Sequence, residues 1–205
     1  MKKINNYILE KLHLNKDTKR SPNQPQTKEE LHKLIEETFK KKGPSADLNF
    51  IDTSSIDDMS DLFRDLKPRK IKIDKWNVSN VIDMSHMFKD CKLLETDISN
   101  WDVHNVKLFR GTFSYCERFN CDLSNWNLSS VEDCLNMFLG CKNFAADLSK
   151  WDLSNATNIS AMFAGCQNLT FDANHWRFNK KVTQSQYKFA FRNTNIKISE
   201  LIQYK

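Results

Sequence analysis

Six cysteines, five histidines and a spaced series of aspartates are the residues here whose chemistry could reach beyond packing. Cysteine metal sites want paired spacings such as C-x-x-C with histidines nearby, and the sequence has no such pair. Instead Cys91, Cys116, Cys141 and Cys166 recur every 25 residues, while Cys134 shares a column with Met59, Met84, Phe109 and Ile159. Such columns predict small apolar fillers that stay free thiols. Asp97, Asp122, Asp147 and Asp172 keep the same interval, with Lys72 at their head. A carboxylate ladder could bind calcium, which takes six to eight oxygens, but the glycine-rich aspartate loops of calcium-binding repeats are missing. The expected role is hydrogen bonding to turn amides. The histidines at 13, 32, 86, 104 and 175 share no column. No phosphate loop, G-x-S-x-G or H-E-x-x-H is present. No catalytic residue, metal or cofactor is expected, and the chain does not read as an enzyme.

The elements that would position these residues follow from the interval itself. Trp76, Trp101, Trp126, Trp151 and Trp176 are each 25 residues apart, as are Phe63, Phe88, Phe113, Phe138 and Phe163. Three residue types sharing one period define a repeat. Within a unit, Leu123, Trp126 and Leu128 predict a short strand over Leu123–Leu128. Val131, Cys134, Met137, Phe138 and Cys141 then have helical spacing. Ser130 with Asp133, and Asn80 with Asp83, resemble capping boxes, and Gly140 and Gly165 sit where such helices should stop. The fold predicted is an α/β repeat solenoid, leucine-rich-repeat-like. It has one short parallel strand and one short helix per 25-residue coil, about six coils, and an N-terminal helical cap.

The boundaries expected are 1–26 for a leader helix and flexible linker, 27–46 for a capping helix, and 47–205 for the repeats with a C-terminal cap. Ile4, Tyr7, Ile8 and Leu12 suggest the leader helix, and Asn15–Gln26 the linker. Thr27 and Glu30 form a capping box before a helix over Lys28–Lys42, with Leu31, Leu34, Ile35, Thr38 and Phe39 on one face. At the far end Phe191 comes three residues late for its column, as terminal repeats often do. Residues 1–46 hold 11 Lys/Arg against 6 Asp/Glu, whereas residues 47–205 hold 20 of each. The neutral repeats lack the basic stripe of a nucleic-acid binder, so neither nucleic acid nor a small-molecule substrate is expected for them. No apolar run has the length of a membrane span, and Met1 to Arg20, with no unbroken apolar stretch, is not expected to act as a secretory signal. Localisation is expected to be cytoplasmic or virion-associated.

Asp97-Ile98-Ser99-Asn100-Trp101-Asp102-Val103, Asn80-Val81-Ile82-Asp83-Met84-Ser85-His86-Met87-Phe88 and Asp147-Leu148-Ser149-Lys150-Trp151-Asp152-Leu153 carry a family likeness. They resemble the repeat of BspA-like leucine-rich repeat surface proteins, in the tryptophan-bearing form of mycoplasma lipoproteins. The resemblance covers roughly Leu48 to Asn193 and implies adhesion or protein–protein contact, with no catalytic residues to carry over. The opening Met1 to Leu12 looks like leaders on proteins of gut Bacteroidetes and their tailed phages. A protein partner is therefore expected on the outward strand columns: Lys75, Asn100, Asn125, Lys150 and His175, then Asn77, Asp102, Asn127, Asp152 and Arg177, with His104 beside them. The alternative is a structural or cargo protein of a phage particle or other large assembly, with the leader as attachment tag.

Overall fold

Left-handed backbone recurs at fixed places in this chain, and it decides what the apolar runs can become. The computed structural model describes residues 21–174, 176–196 and 204. His86, Gly111, Asn136 and Ala161 have φ of 58°, 57°, 58° and 52°, and Asp90, Tyr115, Gly140 and Gly165 have φ of 62°, 60°, 72° and 79°. An α-helix cannot pass through such residues, because each reverses the local winding. The segment Val131–Cys141 is accordingly a ribbon of turns. Met137, Leu139 and Cys141 donate their N–H to the carbonyls of Cys134, Asn136 and Phe138 within the ribbon. The N–H groups between them point the other way, out of their own unit. Cys134, Asn136, Phe138 and Gly140 donate to the carbonyls of Asn158, Ser160, Met162 and Ala164, 24 residues on, at 2.8–3.0 Å.

These bonds correct the expected architecture. Among the described residues the helices are α1 (Lys28–Lys42) and α2 (Gln184–Ala190), and strand pairing is confined to isolated parallel bridges such as Asp83↔Leu108, Leu108↔Asp133 and Asp133↔Asn158. The α/β solenoid of about six coils, each with one strand and one helix, is not what folds. The proposed strand Leu123–Leu128 is broken by a turn in which Trp126 N–H donates to the Leu123 carbonyl at 3.1 Å. The proposed capping boxes fail as well. Asp133 and Asp83 accept from the N–H groups of Leu135 and Ser85, two residues on, in side-chain-closed turns. Gly140 and Gly165 are left-handed turn residues inside the ribbon rather than stops after a helix.

The core lies between successive tiers of turns. Phe63, Phe88, Phe113, Phe138 and Phe163 stack ring on ring with centroids 5.1–5.6 Å apart, all fully buried. Phe191 extends the column at 5.8 Å from Phe163. Its three-residue delay accommodates α2, whose N-terminus is closed by a reciprocal capping box between Thr183 and Gln186. At the opposite end α1 lays Leu31, Leu34, Ile35 and Thr38 inward. Thr27 caps it by accepting from Glu30 N–H, but the Glu30 carboxylate turns back to Gln26 N–H instead of Thr27. The leader-helix expectation falls on residues outside those described.

Each tryptophan is held twice, by burial and by its indole N–H. Trp76, Trp101, Trp126 and Trp151 donate Nε1–H to the carbonyls of Leu48, Ile73, Ile98 and Leu123, 28 residues earlier. Trp126→Ala removes a fully packed aromatic and leaves the Ile98 carbonyl with the Trp101 N–H alone, so a loss of about 3–5 kcal/mol is expected in chemical denaturation. A second substitution separates ribbon from helix by sign. Asn136→Ala would stabilise a helix by about half a kcal/mol, but in the left-handed site it should cost about 1 kcal/mol. Urea unfolding of the two proteins reads that sign directly.

Candidate functional site

Carboxylates and amides at fixed places in each tier close its turns, and that sets which side chains remain for other work. In the unit around Trp126, Asp122, Asn127 and Asp133 accept from the N–H groups of Ser124, Ser129 and Leu135 at 2.9, 3.1 and 2.8 Å. The next unit repeats this with Asp147, Asp152 and Asn158 onto Ser149, Ser154 and Ser160. Such turns are what short polar side chains favour when the backbone leaves regular structure. Hydrogen bonding lowers the carboxyls below their usual range. The cause is chiefly the Ser99 hydroxyl for Asp97, and the backbone N–H of Ser124 and Ser149 for Asp122 and Asp147.

The structure divides the residues expected to face a partner. Lys75, Asn77, Asn100, Asp102, His104, Asn125, Asn127, Lys150, Asp152 and Arg177 are all exposed, and His175 lies outside the described residues. Asn77, Asp102, Asn127 and Asp152 spend a side-chain oxygen on turn N–H groups. His104 Nδ1 lies 2.7 Å from Asp102 Oδ1, and this contact is the main cause of the lowered Asp102 pKa. Among the described residues the side chains of Lys75, Asn100, Asn125 and Lys150 carry no such duty. They form a polar row at one-tier intervals, free to meet another molecule.

Sequence reasoning overlooked a further asparagine column. Asn80, Asn105 and Asn155 donate Nδ2–H to the carbonyls of Ser54, Ser79 and Ser129, 26 residues earlier, at 2.6–2.8 Å. The signal was present, since these asparagines also keep the 25-residue interval, but a capping reading took precedence at Asn80.

Two shallow hollows of about 480 and 440 Å³ run beside Asp97, Asp122 and Asp147. Their carboxylates point into turns, one to a tier. Among the described residues no group of three His, Cys, Asp or Glu is placed to hold a metal ion. The six cysteines are free and buried. Cys91, Cys116, Cys141 and Cys166 donate Sγ–H to phenylalanine carbonyls 28 residues earlier, at 3.4, 2.9, 2.9 and 3.0 Å. They serve the core as small donors beneath the phenylalanine column. Burial pushes the thiols of Cys91 and Cys166 up to about 12 and that of Cys121 up to about 11.

The model of a family described as "Mycoplasma protein of unknown function, DUF285" matches residues 33–143 and 111–201. No curated protein and no solved structure matches the chain. Among the described residues no helix is long and apolar enough to cross a membrane.

Two measurements test the assignments at these side chains. At pH 8 a thiol reagent should modify the native protein slowly, beginning at Cys121, because a buried thiol keeps its proton. Unfolding without reductant should then give six adducts by intact mass. The carboxyls make a pH prediction of definite sign. Their folded pKa values lie below the unfolded value of about 3.9, so their stabilisation is present above that pH. It is lost as pH falls through the lower folded values. Melting temperature should therefore drop as pH falls below about 4, and less steeply when Asp97, Asp122 and Asp147 are all changed to Asn, which can still accept the turn N–H.

Proposed function

The chain belongs to the Mycoplasma DUF285 family, and from that premise we propose that it is a non-enzymatic module that holds a protein partner. The observation that carries this reading is the row Lys75, Asn100, Asn125 and Lys150. These side chains are exposed, polar with a lysine at either end, and repeated tier by tier, while the neighbouring columns are spent on turns. An extended row of this kind suits an extended polar segment or a flat polar surface, with specificity set by where the lysines fall. The tryptophan-bearing units' resemblance to BspA-like surface repeats supports contact or adhesion as the role. It does so without the strand-and-helix coil that the resemblance also implied.

The test uses the full chain as bait in extracts of the organism that makes it. One variant changes Lys75, Asn100, Asn125 and Lys150 together to Glu. The other changes Lys89 and Lys142 to Glu. Asp102, Asn127 and Asp152 are left alone, because replacing them would open turns. A specific partner should be lost by the first variant and kept by the second, with both melting within a few degrees of the parent. Retention by the first and loss by the second would place the contact elsewhere.

A further inference from the structure

The turn ribbon changes character along the stack. Its tier Met59–Leu66 carries three charged residues, Met84–Cys91 two, Phe109–Cys116 one, and the tiers Cys134–Cys141 and Ile159–Cys166 none. Where earlier tiers place Ser85 and Arg110, or Lys89 and Ser114, the fourth places Leu135 and Leu139, both half-buried. Gly140 and Gly165 lie against each other in the next column, a Cβ on Gly165 being only 3.6 Å from the Gly140 Cα. They leave a bare backbone floor. At one end stands Tyr115, 44% exposed, its ring so close to Gly140 that a Cβ there would come within 2.8 Å. At the other end α2 supplies Phe189, 42% exposed, with the Arg192 guanidinium 5.8 Å from its ring centroid. Gly165 N–H donates to the Arg192 carbonyl, so this end is the next tier of the same ribbon.

The geometry points to a second contact site on this uncharged ribbon face, for a short protein segment with aliphatic side chains flanked by carboxylates. Exposed aromatics with a flat floor between them mark anchoring positions for apolar side chains. The face spans only a few tiers, about 15 Å at strand-like spacing. A patch of that length and equal width offers roughly 200 Å², far short of the ~800 Å² per partner of a standard interface, which favours a short segment over a second copy of this chain. The sign of the flanking charge follows from Lys188 and Arg192, which are not ion-paired among the described residues and border the apolar floor. This site does not depend on the polar row around Asn100, which lies on a different set of columns.

The experiment uses the full chain and two dye-labelled heptapeptides, three leucines flanked on each side by two glutamates or by two lysines. Fluorescence anisotropy at low salt should show the glutamate peptide binding at least tenfold more tightly. Leu139→Lys and Arg192→Glu, introduced singly and checked for parental melting, should each weaken it about tenfold or more. The quadruple Glu variant of the polar row should bind it as the parent does. If Leu139→Lys does not fold, exposed Arg192→Glu still decides. Equal binding of both peptides, no binding at millimolar concentration, or indifference to Arg192→Glu would overturn the proposal. So would sedimentation showing that the parent self-associates and that Leu139→Lys abolishes it.

Discussion

Every tier of this protein depends on backbone N–H groups that its own turns cannot satisfy. A buried amide without a partner costs about 1–3 kcal/mol, so a ribbon that turns alternate N–H groups outward cannot stand alone. The outward donors of Met84, His86, Phe88 and Asp90 are met by carbonyls of the next tier, at 2.7–2.9 Å. The left-handed residues orient those donors, and the phenylalanine column sets the spacing at which they reach. Stability is thus shared between neighbours, and the two helices close the stack where no further tier is available.

The same constraint explains what was legible in the sequence. The 25-residue interval was plain, because each buried side chain must lie over its counterpart. That is why Trp126 and Cys141 bond carbonyls 28 residues earlier. α1 was legible too, since it is an ordinary amphipathic helix with a Thr27 cap. The error lay in converting spacing into secondary structure. Val131, Cys134, Met137, Phe138 and Cys141 satisfy a helical template, and only the backbone at Asn136 and Gly140 shows that the chain winds back between them. Asn136 and Gly140 tolerate left-handed φ readily, but Tyr115 and Ala161 occupy it with no such chemistry, so residue type gave little warning. The alternation around Trp126 misled in a similar way. Polar residues at Asp122, Ser124 and Asn127 look like the outer face of a strand, yet two of them close turns.

For the candidate site, exposure was predictable and availability was not. Alternation in the sequence separates outward from inward columns, so Asn77, Asp102, Asn127 and Asp152 were correctly placed at the surface. Their oxygens are nevertheless committed to backbone N–H groups, which a one-dimensional pattern does not reveal. The polar row and the uncharged ribbon face emerge only when bonds spanning one tier have been assigned. They lie on different columns of the stack and suit different chemistry, one a polar row of amides between lysines, the other apolar with a basic border.

The tiers are joined through bonds that span one unit of sequence, and a pair of deletions measures this most directly. Removing Leu123–Asp147 takes out one whole unit and rejoins Asp122 to Leu148, which occupies the same column as Leu123. Removing Leu123–Ser124 deletes far less chain but displaces each later residue from its carbonyl partner. The longer deletion should melt cooperatively close to the parent, and the two-residue deletion should be strongly destabilised or fail to fold. Equal melting of the two, or greater damage from the whole-unit deletion, would contradict the account.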